Sequence, residues 1–356
     1  MRPTMKDVAS AAGVALKTVS RVVNGEPGVH PGTAERVREA IDRLGYSRNE
    51  SARVLRRGHT STVGLVIEDL GDPFYAALGR AVEDVVIGQG CLLLSASSSE
   101  DPERERELVR TFCARRVDGL IVVPAGHDHS YLRQELEAGT PAVFADRPPG
   151  PGIDVDTVLC DNAGGAALAT RHLLAHGHRR IAFLGDHPSI FTAARRLHGY
   201  RSALGHLYDE RLVSMRTPSP DGVRADLDRM LALDRPPTAL FTGNGRLTVT
   251  ALRALAGRTT GGRTTAGGTT AGGTTAGGMT RGGTATGRPI AMAGFDDFEL
   301  ADLLTPGVTV VAQDPAGMGR IAAELLFRRL SGDGDLPRHV TLPVRLIPRG
   351  SGELPP

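Results

Sequence analysis

The chain has 356 residues, an ordinary apolar fraction of 40%, few aromatic residues at 4%, and a formal net charge of +2. This length is enough for two or three domains with a large core. No apolar run approaches the roughly eighteen residues of a membrane helix, and the N-terminus lacks a signal-peptide core, so we predict a cytoplasmic protein. Three cysteines without metal-type spacing indicate buried free thiols in a reducing compartment, at Cys91, Cys113 and Cys160.

Charge is distributed unevenly along the chain. The first sixty residues hold eleven Lys and Arg against six Asp and Glu, whereas the remainder holds 31 against 34. A basic head on a mildly acidic body is typical of a polyanion-facing segment attached to a second module.

Residues 4–24 predict two short helices joined at Gly13. Thr4 is a suitable N-cap, and Asp7 places a carboxylate in the first turn, where the amide ends favour negative charge. The expected inward residues are Val8, Ala9, Ala12, Val14, Val19 and Val22 or Val23, and the outward ones are Leu16, Lys17, Thr18, Ser20 and Arg21. A helix-turn-helix of this kind can present its second helix to a DNA major groove. The pattern also fits an ordinary helical hairpin with a solvated face.

A third helix is expected over about 33–44, ending at Gly45. Its predicted inner face consists of Ala34, Val37, Ile41 and Leu44. Residues 49–57 have helical composition but are too few for a stable isolated helix. They fit equally a flexible linker or a helix that orders on DNA or against a second copy.

Beyond residue 61, apolar strands alternate with amphipathic helices in two series. Such alternation indicates parallel sheets covered on both faces, and two series predict two doubly wound lobes with a ligand between them. The first series has expected strands at 62–67, 91–95, 119–123, 142–144 and 157–160, and helices at 73–89, 102–115, 131–138 and 164–176. The second has strands at 181–184, 212–215, 239–242 and 290–293, and helices at 192–205, 222–232 and 247–256.

Residues 257–288 interrupt this pattern with Gly, Thr, Ala and Arg, including TTAGG three times over 264–278. Such a segment cannot bury enough apolar surface to offset its ordering entropy, so we predict a disordered loop expansion. A partner-binding segment is the alternative.

No enzyme motif is found: GxSxG, HExxH and the Walker sequence are all missing. His176 and His178 are interpreted as polar residues ending a helix, and the acidic pair at 296–297 has no partnered nucleophile. We therefore predict no catalytic residue, no cofactor and no metal site.

Taken together, the motifs resemble the lactose and galactose repressor family of bacterial transcription regulators, outside 257–288. They are KDVASAAGVALKTVSRVVNG (6–25), VREAIDRLGY (37–46), NESARVLR (49–56), DPFYAAL (72–78), RRVDGLIVVP (115–124), DN (161–162), HGHRRIAFLG (176–185), RRLHGYRSAL (195–204) and GFDD (294–297). The resemblance implies an α/β protein with an all-α helix-turn-helix headpiece and a two-lobed, periplasmic-binding-protein-like body of doubly wound parallel sheets. The implied divisions are a headpiece at 1–48, a hinge helix and linker at 49–60, a first lobe at 61–161 plus 313–336, a second lobe at 162–312 plus 337–350, and a tail at 351–356.

The resemblance also implies DNA-binding residues. Leu16, Lys17 and Arg21 match positions that read bases, whereas Thr18 and Ser20 match phosphate-contacting or helix-positioning residues. Leu55 matches the leucine that a hinge helix inserts into the minor groove, which favours the hinge over the flexible linker. The remaining implied contacts are Thr4, Asn24, Tyr46, Asn49, Ala52 and Arg53.

An effector site is implied at Asp72, Phe74, Asp146, Arg196, Asn244 and Asp296. Arg196 and Asp296 both fall in loops at the carboxyl ends of predicted strands, where doubly wound sheets bind ligands. A structural ion pair between these two residues is the alternative.

Four positions depart from the family pattern. Ala15 replaces the Ser that caps the second helix, Asp72 replaces an Asn, Gly245 replaces an Asp, and Thr217 stands where an aromatic residue is common. A sugar is the expected effector, although these changes also suit a non-sugar ligand.

The sequence therefore predicts a transcription regulator, most simply a repressor, that binds a palindromic operator as a homodimer under control of a small-molecule effector. A dimer is expected because the C-terminal heptad that forms tetramers in the family is missing. The alternatives are a solute-binding receptor without DNA function and an enzyme built on the same lobes.

Overall fold

The computed structural model describes residues 3–46, 60–261 and 289–356. The chain divides into two compact units, residues 1–60 and 61–356, which we call the headpiece and the body. The predicted hinge residues 49–57 lie outside the described ranges.

Within residues 3–46 the headpiece forms three helices, α1 (Met5–Ala12), α2 (Leu16–Asn24) and α3 (Pro31–Leu44). Val8, Val19 and Val37 are fully buried and form its core. The prediction that Leu44 faces inward was wrong, since it is 36% exposed while Ala40 is buried. Leu44 is the last residue of its helix, so it has helical neighbours on one side only.

The described residues of the body, 61–261 and 289–356, form two six-stranded sheets. The first runs in the order β11-β5-β4-β3-β1-β2 and is parallel throughout. Its strands are β1 (Thr62–Ile67), β2 (Leu92–Ser97), β3 (Gly119–Val122), β4 (Ala142–Ala145), β5 (Thr157–Cys160) and β11 (His339–Leu342). Its helices are α4 (Pro73–Gly88), α5 (Pro102–Ala114), α6 (Arg133–Glu137, after a 3-10 turn at Ser130–Leu132) and α11 (Pro315–Leu330).

The second sheet runs in the order β12-β10-β9-β8-β6-β7, with only β12 antiparallel to its neighbour. Its strands are β6 (Ile181–Gly185), β7 (Val213–Met215), β8 (Ala239–Thr242), β9 (Ala291–Phe295), β10 (Thr309–Ala312) and β12 (Arg345–Ile347). Its helices are α7 (Asn162–Ala175), α8 (Phe191–Leu204), α9 (Pro220–Leu231) and α10 (Gly245–Gly261).

Alternate residues of each central strand pack on opposite faces, which gives each lobe two cores. In β1, Leu65 packs with α4 and α11, whereas Val66 packs with α5. In β6, Phe183 packs with α7 and α8, and Leu184 with α9 and α10. The predicted coverage of both sheet faces is therefore confirmed.

Helices α7 and α8 approach closely because position 199 is glycine. A Cβ placed on Gly199 would lie 2.0 Å from the carbonyl oxygen of Ala163. This contact fixes α8, which carries Arg196, against the start of α7.

The chain crosses between the lobes three times, after β5, after β10 and after β11. The expected assignment of 337–350 to the second lobe was wrong in its first part, because β11 pairs with β5 in the first sheet. The expected tail at 351–356 was also wrong, because Ser351 is buried and donates to the carbonyl of Met292 (2.6 Å). The open backbone edges of β5 and β10 are occupied by β11 and β12, and beyond them the Ser351 hydroxyl also accepts from the Thr309 amide (2.9 Å) at the start of β10.

Helix α10 extends to Gly261, five residues beyond its expected end at 256. Once a helix has formed, each further residue adds one hydrogen bond, so a weak helix-forming sequence can still prolong it. The rest of the predicted disordered expansion, 262–288, lies outside the described residues.

Candidate DNA-binding face and ligand cleft

The first helix of the headpiece begins with a capping box. The Thr4 amide donates to Oδ2 of Asp7 (2.7 Å), and the Asp7 amide donates back to the Thr4 hydroxyl (3.4 Å). The Thr4 side chain lowers the pKa of the Asp7 carboxyl by donating to it. Gly13 ends the helix at φ 64°, a left-handed conformation that suits glycine. These features confirm the predicted helix boundaries.

The second helix exposes the predicted donor face. Leu16, Lys17 and Arg21 are exposed, and Thr18 and Ser20 are half-buried, while Val19 on the opposite side is fully buried. Its N-cap, Ala15, makes no side-chain hydrogen bond to the helix, as its chemistry predicts.

One acidic residue that the sequence analysis did not single out lies beside this face. Glu26 lies with Oε2 3.7 Å from Nε of Arg21, and its Oε1 accepts a hydrogen bond from the side-chain Nδ2 of Asn24 (3.0 Å). Arg21 and Asn24 are thus held by a common neighbour. Of the other predicted DNA contacts, Thr4 is exposed and Tyr46 packs on the headpiece core. Asn49, Ala52, Arg53 and Leu55 lie outside the described residues.

All six predicted effector residues line one cavity of about 370 Å³ between the lobes of the body. The first lobe supplies Asp72, Phe74 and Asp146, and the second supplies Arg196, Asn244 and Asp296. The residues that sequence reasoning missed include Glu68, Tyr75, Arg147, Asp186, Arg246, Phe298 and Gln313. A concave cavity of this size is typical of small-molecule sites, and many of the residues that line it here are charged.

Asp146 is buried at the first-lobe wall of the cavity. Tyr75 donates its hydroxyl to Oδ2 of Asp146 (3.3 Å), whereas Oδ1 has no hydrogen-bond partner among the described residues. Burial raises the pKa of this carboxyl. Asp146 and Asp296 both have left-handed backbones, with φ of 65° and 68°. Such strain in residues other than glycine is often found at functional sites.

Arg196 is anchored within the second lobe. Its Nε donates to Oδ1 of Asn162 (2.7 Å), its Nη1 donates to the carbonyl of Gly243 (2.7 Å), and its guanidinium lies 3.9 Å from the centre of the Phe295 ring. Its Nη1 is also 3.6 Å from Oδ2 of Asp296. The ion pair considered as an alternative is therefore present, and both of its members still line the cavity.

Two cavity residues also cap helices. Asp72 accepts from the Phe74 amide (2.9 Å) at the start of α4, and burial raises the pKa of its carboxyl. Asn244 accepts from the Leu247 amide (2.8 Å) at the start of α10 and donates to Asp186 (3.3 Å). Helix starts position these side chains because both helices begin at the carboxyl ends of strands.

Arg147 organises the carboxylates behind the first-lobe wall. It donates to Glu100, to the carbonyl of Pro124 (2.8 Å) and to the Tyr75 hydroxyl (3.2 Å), and it lies 3.4 Å from Glu68. Burial raises the pKa of Glu100 to about 7, although Arg147 opposes the rise. This network fixes the Glu68 carboxylate, which lines the cavity.

Aromatic side chains reach the cavity from both lobes. Phe74 comes from the start of α4 and Phe298 from the loop after β9. Thr217, which stands where the family commonly has an aromatic residue, does not line this cavity. It lines a wider opening of about 1000 Å³ at the mouth of the cleft. Phe298 directly follows the GFDD motif (294–297), and this position next to the motif could have identified it from the sequence.

The predicted structural roles of the histidines fit their contacts. His178 is hydrogen-bonded to Thr238 (2.9 Å) and to the carbonyl of Leu354 (2.8 Å), and His176 to the carbonyl of His172 (2.9 Å). In the described ranges, no group of three or more His, Cys, Asp or Glu side chains could hold a metal ion. Within the same ranges, no helix has the length and apolar character to cross a membrane. Of the three free cysteines, Cys160 is buried and Cys91 and Cys113 are half-buried.

Comparison with known proteins accounts for both units. A family model described as bacterial regulatory proteins, lacI family, matches residues 4–49, and one described as periplasmic binding proteins and sugar binding domain of LacI family matches residues 60–348.

Individual proteins match along nearly the whole chain. The transcriptional regulator CelR of Thermobifida fusca is 34% identical over 99% of this chain and 98% of its own length. The solved CelR–cellobiose complex is 32% identical over 98% of this chain and all of that one, with a TM-score of 0.66. The Lac repressor dimer, bound to operator and the anti-inducer ONPF, shares the fold at 24% identity, 99% coverage of both chains and a TM-score of 0.79.

Proposed function

Because this chain belongs to the LacI family of bacterial transcription regulators, we propose that it is a dimeric repressor of a palindromic operator. Its small-molecule effector binds between the two lobes of the body. The observation that carries the proposal is the pairing, in one chain, of an exposed recognition helix with a cleft in which six predicted effector residues meet.

The proposed DNA contacts follow from side-chain chemistry. Lys17 and Arg21 are exposed donors on α2, suited to guanine O6 and N7 in the major groove. Thr18, Ser20 and Asn24 contact phosphates or position the helix. In a dimer two such helices would read half-sites about one helical turn apart, which calls for a twofold-symmetric operator. Asn49, Ala52, Arg53 and Leu55 would extend this contact into the minor groove.

The proposed effector is a hydroxyl-rich molecule, and a sugar is the first candidate. Asp72, Asp146 and Asp296 offer acceptors for hydroxyl groups, Asn244 lines the same cavity, and Phe74 provides an apolar ring. Arg196, which lines the cavity and is fixed by Asn162 and Gly243, donates from its guanidinium to hydroxyl groups of the effector. The relative CelR was solved with cellobiose, so cellobiose is the first probe.

Regulation would follow from a coupling free energy between cleft and DNA. Effector binding biases the closure of the lobes, and lobe geometry sets whether the hinge segments of two copies can pair on DNA. Such a regulator acts in the cytoplasm and needs no catalytic residue.

The proposal is tested by selecting operators from random duplexes with the full chain and measuring affinity by mobility shift. We expect a palindromic consensus bound by the wild type and not by a Lys17→Ala/Arg21→Ala double variant. Failure to select any sequence would favour the alternative, a solute-binding receptor without DNA function. A thermal-shift screen that begins with cellobiose tests the effector, since a ligand at 100 times its Kd adds about 2.7 kcal/mol.

A further inference from the structure

Carboxylates line both walls of the cleft, together with Arg147, Arg196, Arg246 and Arg253. Glu68, Asp72 and Asp146 line the cavity from the first lobe, and Asp186 and Asp296 from the second. Burial is the main cause that raises the pKa of Asp72 and Asp186, and the charge of a carboxylate on the opposite lobe adds to both shifts. The carboxylates on the two walls repel each other unless a positive charge lies between them.

Arg246 provides such a charge. It lies in the first turn of α10 in the second lobe, and its Nη2 donates to Oε1 of Glu68 in the first lobe (2.5 Å). Its Nε is 3.4 Å from Oδ2 of Asp72, also in the first lobe. The charge of Arg246 lowers the pKa of Asp72 and of Asp186, opposing the effect of burial on both walls.

Contacts within the first lobe fix both acceptors, Glu68 and Asp72, independently of Arg246. The second oxygen of Glu68 lies 3.4 Å from Nη2 of Arg147, and Oδ1 of Asp72 accepts from the Phe74 amide. Preorganised acceptors lose little side-chain entropy when a guanidinium binds them, so this bridge is stronger than an ordinary surface ion pair. The side chains of Glu68 and Asp72 are 9% and 13% exposed, whereas that of Arg246 is 42% exposed, so solvent screens the bridge from the arginine side only.

Arg246 lies where the inner cavity meets the mouth of the cleft. Together with Glu68 and Asp186, it lines both the 370 Å³ cavity and the 1000 Å³ opening outside it. The bridge therefore spans the cleft at the boundary between the two spaces.

We propose that Arg246 is a latch between the lobes: its guanidinium joins Glu68 and Asp72 to the second lobe and holds the acidic walls together. Closure then rests on protein contacts alone, and an effector acts on a body whose closed form is already populated. A ligand shifts such an equilibrium only by binding the open and closed forms with different affinity. The inference concerns lobe closure and does not depend on the identity of the effector.

The test compares full-length wild type with Arg246→Met, Arg246→Glu and Arg246→Lys, without added ligand or DNA. Small-angle scattering reports lobe separation through the radius of gyration, and hydrogen–deuterium exchange reports the facing segments 68–76 and 244–250. We expect a graded order, with Glu more open than Met, Met more open than Lys, and Lys close to wild type. Exchange in both segments should be several-fold faster in the Met and Glu variants.

Arg224→Met is the control, because Arg224 is an exposed arginine on helix α9 of the second lobe and does not line the cavity or its opening. It should leave both readouts at the wild-type value, and circular dichroism verifies that every variant is folded. A Met or Glu variant as compact and protected as wild type overturns the latch, as does equal opening in Arg224→Met. Because neither readout uses ligand or operator, the result is separate from that of the effector screen.

Discussion

At the scale of single residues, several side chains in this molecule perform two tasks. Asp72 and Asn244 each cap a helix and line the cleft, and Glu68 is shared between Arg147 and Arg246. A substitution at such a position changes local stability and the site together. A functional test at such a position therefore needs a control variant that lowers the stability of the protein by a similar amount.

The recognition helix gives the first prediction at this scale. Lys17→Ala and Arg21→Ala should each weaken operator binding by roughly 1–3 kcal/mol, because each removes a donor to a base edge. Binding to random DNA should fall less. Arg36→Ala removes an exposed charge from α3 and serves as the control. If both α2 variants bind the selected operator as tightly as wild type does in mobility shifts, the assignment of α2 is wrong.

Arg196 gives the second prediction. Arg196→Ala should abolish the thermal shift produced by an effector found in the screen, while operator affinity without effector stays near wild type. Because its partners are buried, the variant should also lose a few kcal/mol of stability. Arg329→Ala breaks the buried pair with Asp156 (2.6 Å) in the first lobe, far from the predicted contacts, and matches that loss. An effector shift retained by Arg196→Ala would place the site elsewhere.

At the scale of elements, the two helices of the helix-turn-helix begin differently. The first has a complete capping box, whereas the second begins at Ala15 with an extended backbone, φ −67° and ψ 148°, and no side-chain acceptor. The backbone of Ala15 already has the conformation that an N-cap serine needs.

This difference predicts that Ala15→Ser stabilises the headpiece and Thr4→Ala destabilises it, each by about 1 kcal/mol. Thermal or urea unfolding, followed by circular dichroism at the headpiece transition, measures both changes. Ala11→Ser, at an exposed position inside α1, is the control and should not stabilise. If Ala15→Ser did not raise the stability, the backbone amides in the first turn of α2 would already have other hydrogen-bond acceptors.

Elements with a strong local pattern could be predicted from the sequence, and those that depend on distant pairing could not. Thr62–Ile67 and Ala239–Thr242 are continuous apolar runs, and their predicted limits are those found. In contrast, His339–Leu342 alternates between exposed and half-buried residues, and Arg345–Ile347 has only three. Both are strands because an open sheet edge accepts them, which no local pattern records.

The cleft shows the same difference between contacts that a local pattern predicts and contacts that depend on distant parts of the chain. Arg196 and Asp296 were predicted to meet because both follow strands of one sheet. The bridge from Arg246 to Glu68 joins residues 178 positions apart on different lobes. Its geometry depends on how far the lobes close, and that distance is a property of the folded body.

At the scale of the whole molecule, the Gly/Thr-rich segment can be separated from the fold by deletion. Removing 262–286, which leaves α10 intact to Gly261, should change neither operator affinity nor Tm appreciably. Loop length contributes to stability only logarithmically, at about 0.6 kcal/mol per doubling. Differential scanning calorimetry and mobility shift measure the two quantities. A fall of many degrees in Tm would mean that the segment packs against the body.

The return of the chain to the first sheet has a consequence for synthesis on the ribosome. The first lobe begins at residue 61, yet its last strand, β11, ends at Leu342. Domains generally fold in the order in which they emerge, but here the edge of β5 stays open until almost the entire chain has been translated. The second lobe closes equally late, since β12 and Ser351 follow β11. A nascent chain or a truncated product therefore holds every residue that lines the cavity, the last being Gln313, before either sheet has its final edge strand, and a chain stopped near its end leaves both lobes incomplete at once.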